Sequence, residues 1–366
     1  MGGDEGIGNV RAHQPVASAQ ETFRMKIGIT GANSSVGINL LAHLSEKEGI
    51  ETVAGVRSES AFASLPKSAS ISPAIIAYDI PESLKQALVG TDCLIHLAGI
   101  LIENKHSNYA SANVAATDAV VKAAQDCKVG HIIFISVIGA GANSNNAYFR
   151  SKGVGEELVL NSGIPATVLR TPILMGPGTA GANSLRTAVS RGQAKVLGGG
   201  EYCMRPLDTD DLSQALTKLA CSPVTDSQVH ELVGPEPIAY RDLIKKAGSL
   251  VGKEVEVGSV PILIAKLGAA ITSTLKGGGI TPTVIDVITM NEFVAENADE
   301  KIGINLTPLE DTLRKKNITT NRDNYTIYQT PQLFNLNLFL NKINKINFTP
   351  TDDLGVIENF EKLKIN

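Results

Sequence analysis

The stretch "MKIGITGANSSVGINLL" at residues 25–41 constrains the fold more than any other. Met25 to Ile29 read as a short buried strand and Val36 to Leu44 as an amphipathic helix. The connector between them is made almost wholly of small residues. Such a turn lets backbone N–H groups at a helix N-terminus approach an anion closely. With the spacing Gly31-x-x-Ser34-x-x-Gly37, the natural anion is the pyrophosphate of a dinucleotide. Gly31, Asn33, Ser34, Ser35, Val36 and Gly37 are the residues expected around it. Serine stands where the middle glycine usually falls, and its hydroxyl either bonds a phosphate or caps the helix.

The rest of the chain supplies the sheet that such a turn needs. Strand-like runs fall at 25–30, 51–56, 74–79, 93–98, 131–136 and 166–170, with helical patterns between them, most clearly at 111–127 and 146–161. This alternation predicts an α/β fold, a doubly wound parallel sheet of Rossmann type over 25–170, with ligands at the carboxyl ends of the strands. After residue 171 the rhythm loosens. Helices are expected at 211–221, 239–250 and 282–296 and extended segments at 228–232 and 254–258, giving a smaller C-terminal substrate lobe over 171–316 with some strands returning to the sheet. The apolar run "VPILIAKLGAAITSTL" at 260–275 is interrupted by Lys266 and is too short to span a bilayer. It reads as a helix covering the substrate region, with membrane-surface association the minor reading.

Residues 1–24 lack an apolar core and read as a flexible leader. Residues 317–366 hold ten asparagines and no alanine and read as an appended tail. A net charge of −4 gives no electrostatic case for nucleic acid. Cys93, Cys127, Cys203 and Cys221 lie far apart without a metal-ligand spacing, so reduced thiols in a cytoplasmic protein are expected, and no metal.

The strand ends carry the chemistry. "VAGVRSES" puts Arg57 where a site for the unphosphorylated dinucleotide places a carboxylate. Arginine suits a ribose 2′-phosphate, which favours NADP(H) over NAD(H); the plainer alternative is an exposed arginine after a strand. "AYDI" at 77–80 offers Asp79 and Ile80 to the adenine edge, and "TDCLIHLAGI" brings Ala98 and Gly99 close to the cofactor. His96 reads as a packing residue, and Asn113 as a helix cap more than a water-organising group. In "AYFRSKGVGEEL", Tyr148 and Lys152 stand four apart on one helical face. A neighbouring ammonium favours the phenolate, so the pair suits general acid or base work beside a carbonyl or carbinol during hydride transfer. Asp208, Asp210 and Asp211 precede "LSQAL" and read as helix capping.

Together "TGANSSVG", "YDI", "DCLIHLAG", "NVAATDAVVKAA", "IIFISVIGA", "YFRSK" and "LRTPILMGPG" resemble the extended and atypical short-chain dehydrogenase/reductase superfamily. The likeness covers 25–316 and is nearest to its NAD(P)H-binding branch, which includes the nucleotide-binding accessory subunit of respiratory complex I beside sugar-nucleotide epimerase-like proteins. The resemblance implies that Tyr148 is the acid/base, that Lys152 tunes it and bonds the nicotinamide ribose, and that Pro172 and Gly176 line the cleft mouth. It also implies a polarising hydroxyl at the end of the fifth strand. Ser136 is the serine available there, one residue before the usual slot, which holds Val137; a local backbone bond is an equal reading of it. The expectation is an NAD(P)(H)-dependent oxidoreductase or sugar-nucleotide epimerase/dehydratase-like protein acting on a small molecule. The alternative is a non-catalytic NADPH-binding redox sensor or assembly factor. Association with a membrane or a respiratory complex is left open by the resemblance but is not indicated.

Overall fold

The computed structural model describes residues 24–276 and 279–315. The expected leader and tail lie outside these residues, apart from Arg24. Seven parallel strands form the central sheet: β1 (Met25–Thr30), β2 (Ile50–Val56), β3 (Ile71–Ile75), β4 (Cys93–His96), β5 (His131–Val137), β6 (Ala166–Thr171) and the strand Gln228–Glu231. Their spatial order, from one edge, is Gln228–Glu231, β6, β5, β4, β1, β2, β3. Pro73 is tolerated in β3 because β3 is an edge strand.

Successive strand residues face opposite sides of the sheet and bury into two separate cores. On one side Ile27, Ile29, Ile95 and Ile133 meet Leu40, Leu41 and Leu44 of α1 (Ser35–Ser45). On the other, Leu94, Ile132 and Phe134 meet α2 (Pro81–Leu88) and α3 (Ala116–Asp126). The helix α4 (Ala147–Leu160) follows β5.

Beyond β6 the chain builds a third core from α5 (Ala180–Arg191), the strand Gln193–Leu197, α7 (Tyr240–Ser249) and α9 (Pro282–Ile288), with Leu185, Leu243 and Ile285 fully enclosed. The division along the chain is not a division in space. The α6 helix (Thr209–Cys221) returns to pack Leu212 and Leu216 beside α1, and Gln228–Glu231 pairs with β6. The α8 helix (Ile262–Lys276) occupies the apolar run foreseen as a helix. Among the described residues no helix is long and apolar enough to cross a membrane.

Two expected spans stop well short of their expected ends, and the fourth strand ends at His96 in place of residue 98. The third strand stops at Ile75, not residue 79, because pairing with β2 ends when the Ile76 N–H bonds Val56 O. Ser83 then accepts from the Ala77 N–H and donates to Ile80 O, turning the chain into α2. The helix expected over 282–296 stops at Ile288. Asn291 and Glu292 follow in a non-helical segment whose side chains accept from the Cys203 and Arg205 N–H groups.

Candidate functional site

All seven strands run the same way, so Gly31, Arg57, Ala98, Val137 and Pro172 follow or end strands on one edge of the sheet. The order reverses between β1 and β4, which opens the crevice where a doubly wound sheet holds ligands.

The phosphate turn has the geometry its sequence implies. Gly31 sits at φ +72°, and a Cβ there would lie 3.0 Å from Ala98 N. A Cβ on Gly37 would lie 2.5 Å from Ala32 O. Both positions therefore need glycine: the first lets the β1 and β4 loops meet, the second lets α1 start against the turn. Asn33 is exposed in the turn, and Ser35 and Val36 open α1. Ser34 is the N-cap, its Oγ accepting from the Gly37 N–H at 3.0 Å. Capping therefore accounts for the serine, whose own hydroxyl proton has no acceptor among the described residues. The cradle fits a dinucleotide pyrophosphate: a helix N-terminus faces a turn without bulky side chains.

Arg57 is exposed just past β2, in no ion pair with the described residues, and close enough to the Tyr78 phenol to oppose the rise that burial causes there. Asp79 and Ile80 are also exposed, but in the turn before α2 and not at a strand end. Gly99 follows Ala98 in the β4 loop; a Cβ on it would stand 3.2 Å from Asn113 Oδ1 and 3.8 Å from Lys152 Nζ.

Asn113 is neither a cap nor a solvent-facing group. It lies in a π turn, Ala110–Ala115, that runs into α3. Its Oδ1 accepts from the Ile100 N–H at 2.7 Å, and its Nδ2 donates to Ile100 O and to Ser151 Oγ. Ser151 in turn donates to Tyr148 O. The β4 loop is thus tied to the first turn of α4. His96 is a packing residue, as expected: its ring nitrogens meet the Thr30 and Thr117 hydroxyls, and burial pushes its pKa down to about 3.

The cap of α4 is Asn146, whose Oδ1 accepts from the Tyr148 and Phe149 N–H groups while its Nδ2 donates to Thr283 O in the lobe. Tyr148 is buried against Tyr109 and Phe149, with ring centroids 5.7 and 5.8 Å away. Its hydroxyl has no hydrogen-bond partner among the described residues. Burial raises its pKa, and Lys152 does not offset the rise. The expected lowering of the phenol by the ammonium is therefore absent. The physical reason is that Lys152 is engaged elsewhere: Nζ donates to Ile135 O at 2.7 Å and rests 4.2 Å above the Phe134 ring. Burial lowers the Lys152 pKa to about 8, with the Glu156 carboxylate pulling the other way.

A cavity of about 340 Å³ opens beside Tyr148, reaching from Ser35 and Val36 into the lobe. Pro172 lines it, and so does Val137. Ser136 does not: it points to the other side of the strand, fully buried, with an Oγ that has no partner in the described structure. Strand alternation explains the difference, since adjacent residues face opposite sides. The site lacks the hydroxyl expected from Ser136, and that hydroxyl makes no local backbone bond either. Gly176 packs against Thr209 instead of lining the cavity. Glu292, which no motif announced, does line it; its carboxylate accepts from the Ile173 and Arg205 N–H groups at 3.1 and 2.8 Å. Asp208 caps α6 as foreseen, and Asp211 accepts from the Thr307 N–H and hydroxyl. No group of His, Cys, Asp and Glu suited to a metal occurs among the described residues.

Known proteins share this architecture. The chain is 25% identical over 272 residues to 4-hydroxy-2-methyl-3-oxo-4-farnesyl-3,4-dihydroquinoline-1-oxide ketoreductase of Stigmatella aurantiaca, covering 69% of this chain and 80% of the relative. It is 23% identical over 231 residues to NADH dehydrogenase [ubiquinone] 1 alpha subcomplex subunit 9, mitochondrial, of Dictyostelium discoideum, covering 62% of this chain and 64% of that one. The solved UDP-glucuronic acid 4-epimerase from Bacillus cereus, in complex with UDP-glucuronic acid and NAD, superposes with a TM-score of 0.63 at 18% identity, over 80% of this chain and 98% of that one. At that identity the likeness shows the fold. Residues 31–196 match the family model described as NAD(P)H-binding. With the cradle at Gly31 and Gly37 and the strand reversal beside it, this stretch of the chain is a Rossmann-type NAD(P)H-binding domain.

Proposed function

We propose that the protein is an NAD(P)(H)-dependent reductase in which Tyr148 is the proton donor. One observation carries the reading: the buried Tyr148 hydroxyl, unbonded to the described protein, faces a cavity that begins at the dinucleotide turn. Burial holds the phenol neutral, which suits it to give a proton to a carbonyl oxygen that receives hydride. When bound, the nicotinamide supplies or accepts that hydride. Gly31, Asn33, Ser34, Ser35, Val36 and Gly37 hold the pyrophosphate, and Ala98 and Gly99 form the facing wall. Lys152, close to Gly99, bonds the nicotinamide ribose; its cation acts on the cofactor more than on the phenol. Arg57, unpaired and exposed, meets a ribose 2′-phosphate, so NADP(H) is preferred. Ser136 has no role at the substrate in this reading.

A second reading, NADPH binding without turnover in a sensor or assembly factor, is favoured by Val137, an apolar side chain where a polarising hydroxyl was expected. One substitution separates the two. Tyr148→Phe removes the hydroxyl and keeps the ring. In a screen of ketones, quinones and sugar nucleotides, it should lower turnover by ~10²-fold or more, with NADPH affinity within a few-fold of wild type. Full activity in the variant refutes the catalytic role, and absence of activity in the wild type favours the second reading.

A further inference from the structure

We propose that the cavity beside Tyr148 takes an uncharged, largely apolar carbonyl compound, and not a nucleoside-diphosphate sugar; the proposal rests on the reading of Tyr148 as proton donor. The walls come from segments distant in the chain and are mostly apolar, with aliphatic and thioether side chains such as Leu101, Ile138, Ile288 and Met290 beside the aromatic rings of Phe149 and Tyr202. A diphosphate needs cations in such a place, because an unpaired anion in apolar surroundings is prohibitively costly. The lining has two residues that are always or usually cationic, Arg191 and Lys195, and both are exposed to solvent at the end of α5 and in the strand beyond it. The one carboxylate in the lining is Glu292, and its position would repel a second anion.

A sugar would need free hydroxyl and amide partners, since a polar group is taken into a site at low cost only where it is re-bonded. Most of the hydroxyls in the lobe part of the lining already bond the protein. The Ser184 and Tyr240 hydroxyls bond each other at 2.8 Å, Thr187 donates to Asn183 O, and Thr171 donates to Ser136 O. Thr179 caps α5, and both Glu292 oxygens accept backbone N–H groups. The lining side chains left without a partner among the described residues are Tyr148 and Tyr202 inside, Ser35 at the dinucleotide turn, and Arg191 and Gln193 at the solvent-exposed end; the Tyr148 hydroxyl is the group proposed to meet a ligand oxygen. A cavity of this volume falls at the lower end of the ~300–1,000 Å³ usual for small-molecule sites. A ligand with one carbonyl and an aliphatic or aryl body matches these walls.

The test uses the full chain saturated with NADPH, titrated calorimetrically with octanophenone and with UDP-glucose. Octanophenone should bind at least tenfold more tightly. Ile288→Lys, which places a cation in the wall at a half-buried position, should weaken octanophenone by tenfold or more and leave NADPH affinity unchanged. Ala188→Phe, which fills the cavity without adding charge, should do the same and serves if the first variant fails to fold. Tighter binding of UDP-glucose overturns the proposal, as does wild-type octanophenone affinity in a folded variant. Turnover is read separately. If octanophenone binds in this way but is not reduced, the substrate-class assignment stands and the catalytic reading fails. If UDP-glucose is turned over and Tyr148→Phe abolishes it, the catalytic reading stands and the substrate class is refuted.

Discussion

Replacing Lys152 with methionine should stabilise the cofactor-free protein at neutral pH while weakening its hold on the dinucleotide. The side chain is only 6% exposed, and burial lowers its pKa from 10.5 to about 8. At ~1.36 kcal/mol per decade, the charged form in the folded protein carries a penalty of roughly 3 kcal/mol. Methionine has a similar length and no charge, so it removes that penalty. It also forfeits the contact with the Phe134 ring, worth ~1 kcal/mol, and the hydrogen bond to Ile135 O, worth ~1 kcal/mol. The expected net gain is therefore ~1 kcal/mol near neutrality. The sign depends on pH in a defined way. Below about 8 the folded and unfolded chains both hold the proton, and the penalty is felt in full. Between about 8 and 10.5 the unfolded chain holds more protons, so wild-type stability from this group rises with pH. The variant's advantage should thus shrink across that window and reverse above it, where only the lost contacts remain. Urea unfolding of both proteins near neutrality and at high pH measures this directly. A variant less stable than wild type near neutrality, or a difference that does not change with pH, would refute the assignment of Lys152 as a strained buried cation.

Arg57→Asp should lower NADPH affinity by about tenfold or more, the worth of a charge-assisted bond, and leave NADH affinity unchanged or improved; equal wild-type affinities for the two, measured by calorimetry, would remove the basis for the preference. Gly37→Ala forces a Cβ to 2.5 Å from Ala32 O, so it should cost ~1–3 kcal/mol in chemical denaturation and displace the turn enough to abolish detectable dinucleotide binding. An alanine variant with wild-type stability would mean that the turn and α1 are less closely packed than described.

The parts of the site that were legible in the sequence are those set by neighbours in the chain. Gly31, Ser34 and Gly37 serve one turn, and the rules for that turn are local: a positive φ, a cap, a close approach. Tyr148 and Lys152 share a helical face for the same reason. What could not be read depends on contacts across the fold. Asp79 misses the strand end because the last bond to β2 is made at Ile76, which the pattern of "AIIAYDI" does not reveal. Asn113 sits where a cap is expected, yet its partners are Ile100 and Ser151, 13 and 38 residues away. Glu292 offers no motif, since its two donors lie 119 and 87 residues earlier. For Ser136 the strand was correctly read but not its facing, and one step along a strand exchanges the two sides of the sheet.

The return of α6 and of Gln228–Glu231 to the sheet bears on how the chain emerges from a ribosome. Arg170 of β6 pairs with Glu231, some 60 residues later. At a synthesis rate of ~5–20 residues per second, β6 stands as an open edge for roughly 3–12 s before its neighbour exists. The flank of α1 that α6 covers waits longer still, because Leu212 and Leu216 are made some 170 residues after Leu40 and Leu44. A nascent chain stopped after β6 would thus display an unpaired strand and an uncovered flank of α1 together, features that recruit other chains. Both surfaces are covered once α6 and Gln228–Glu231 are in place.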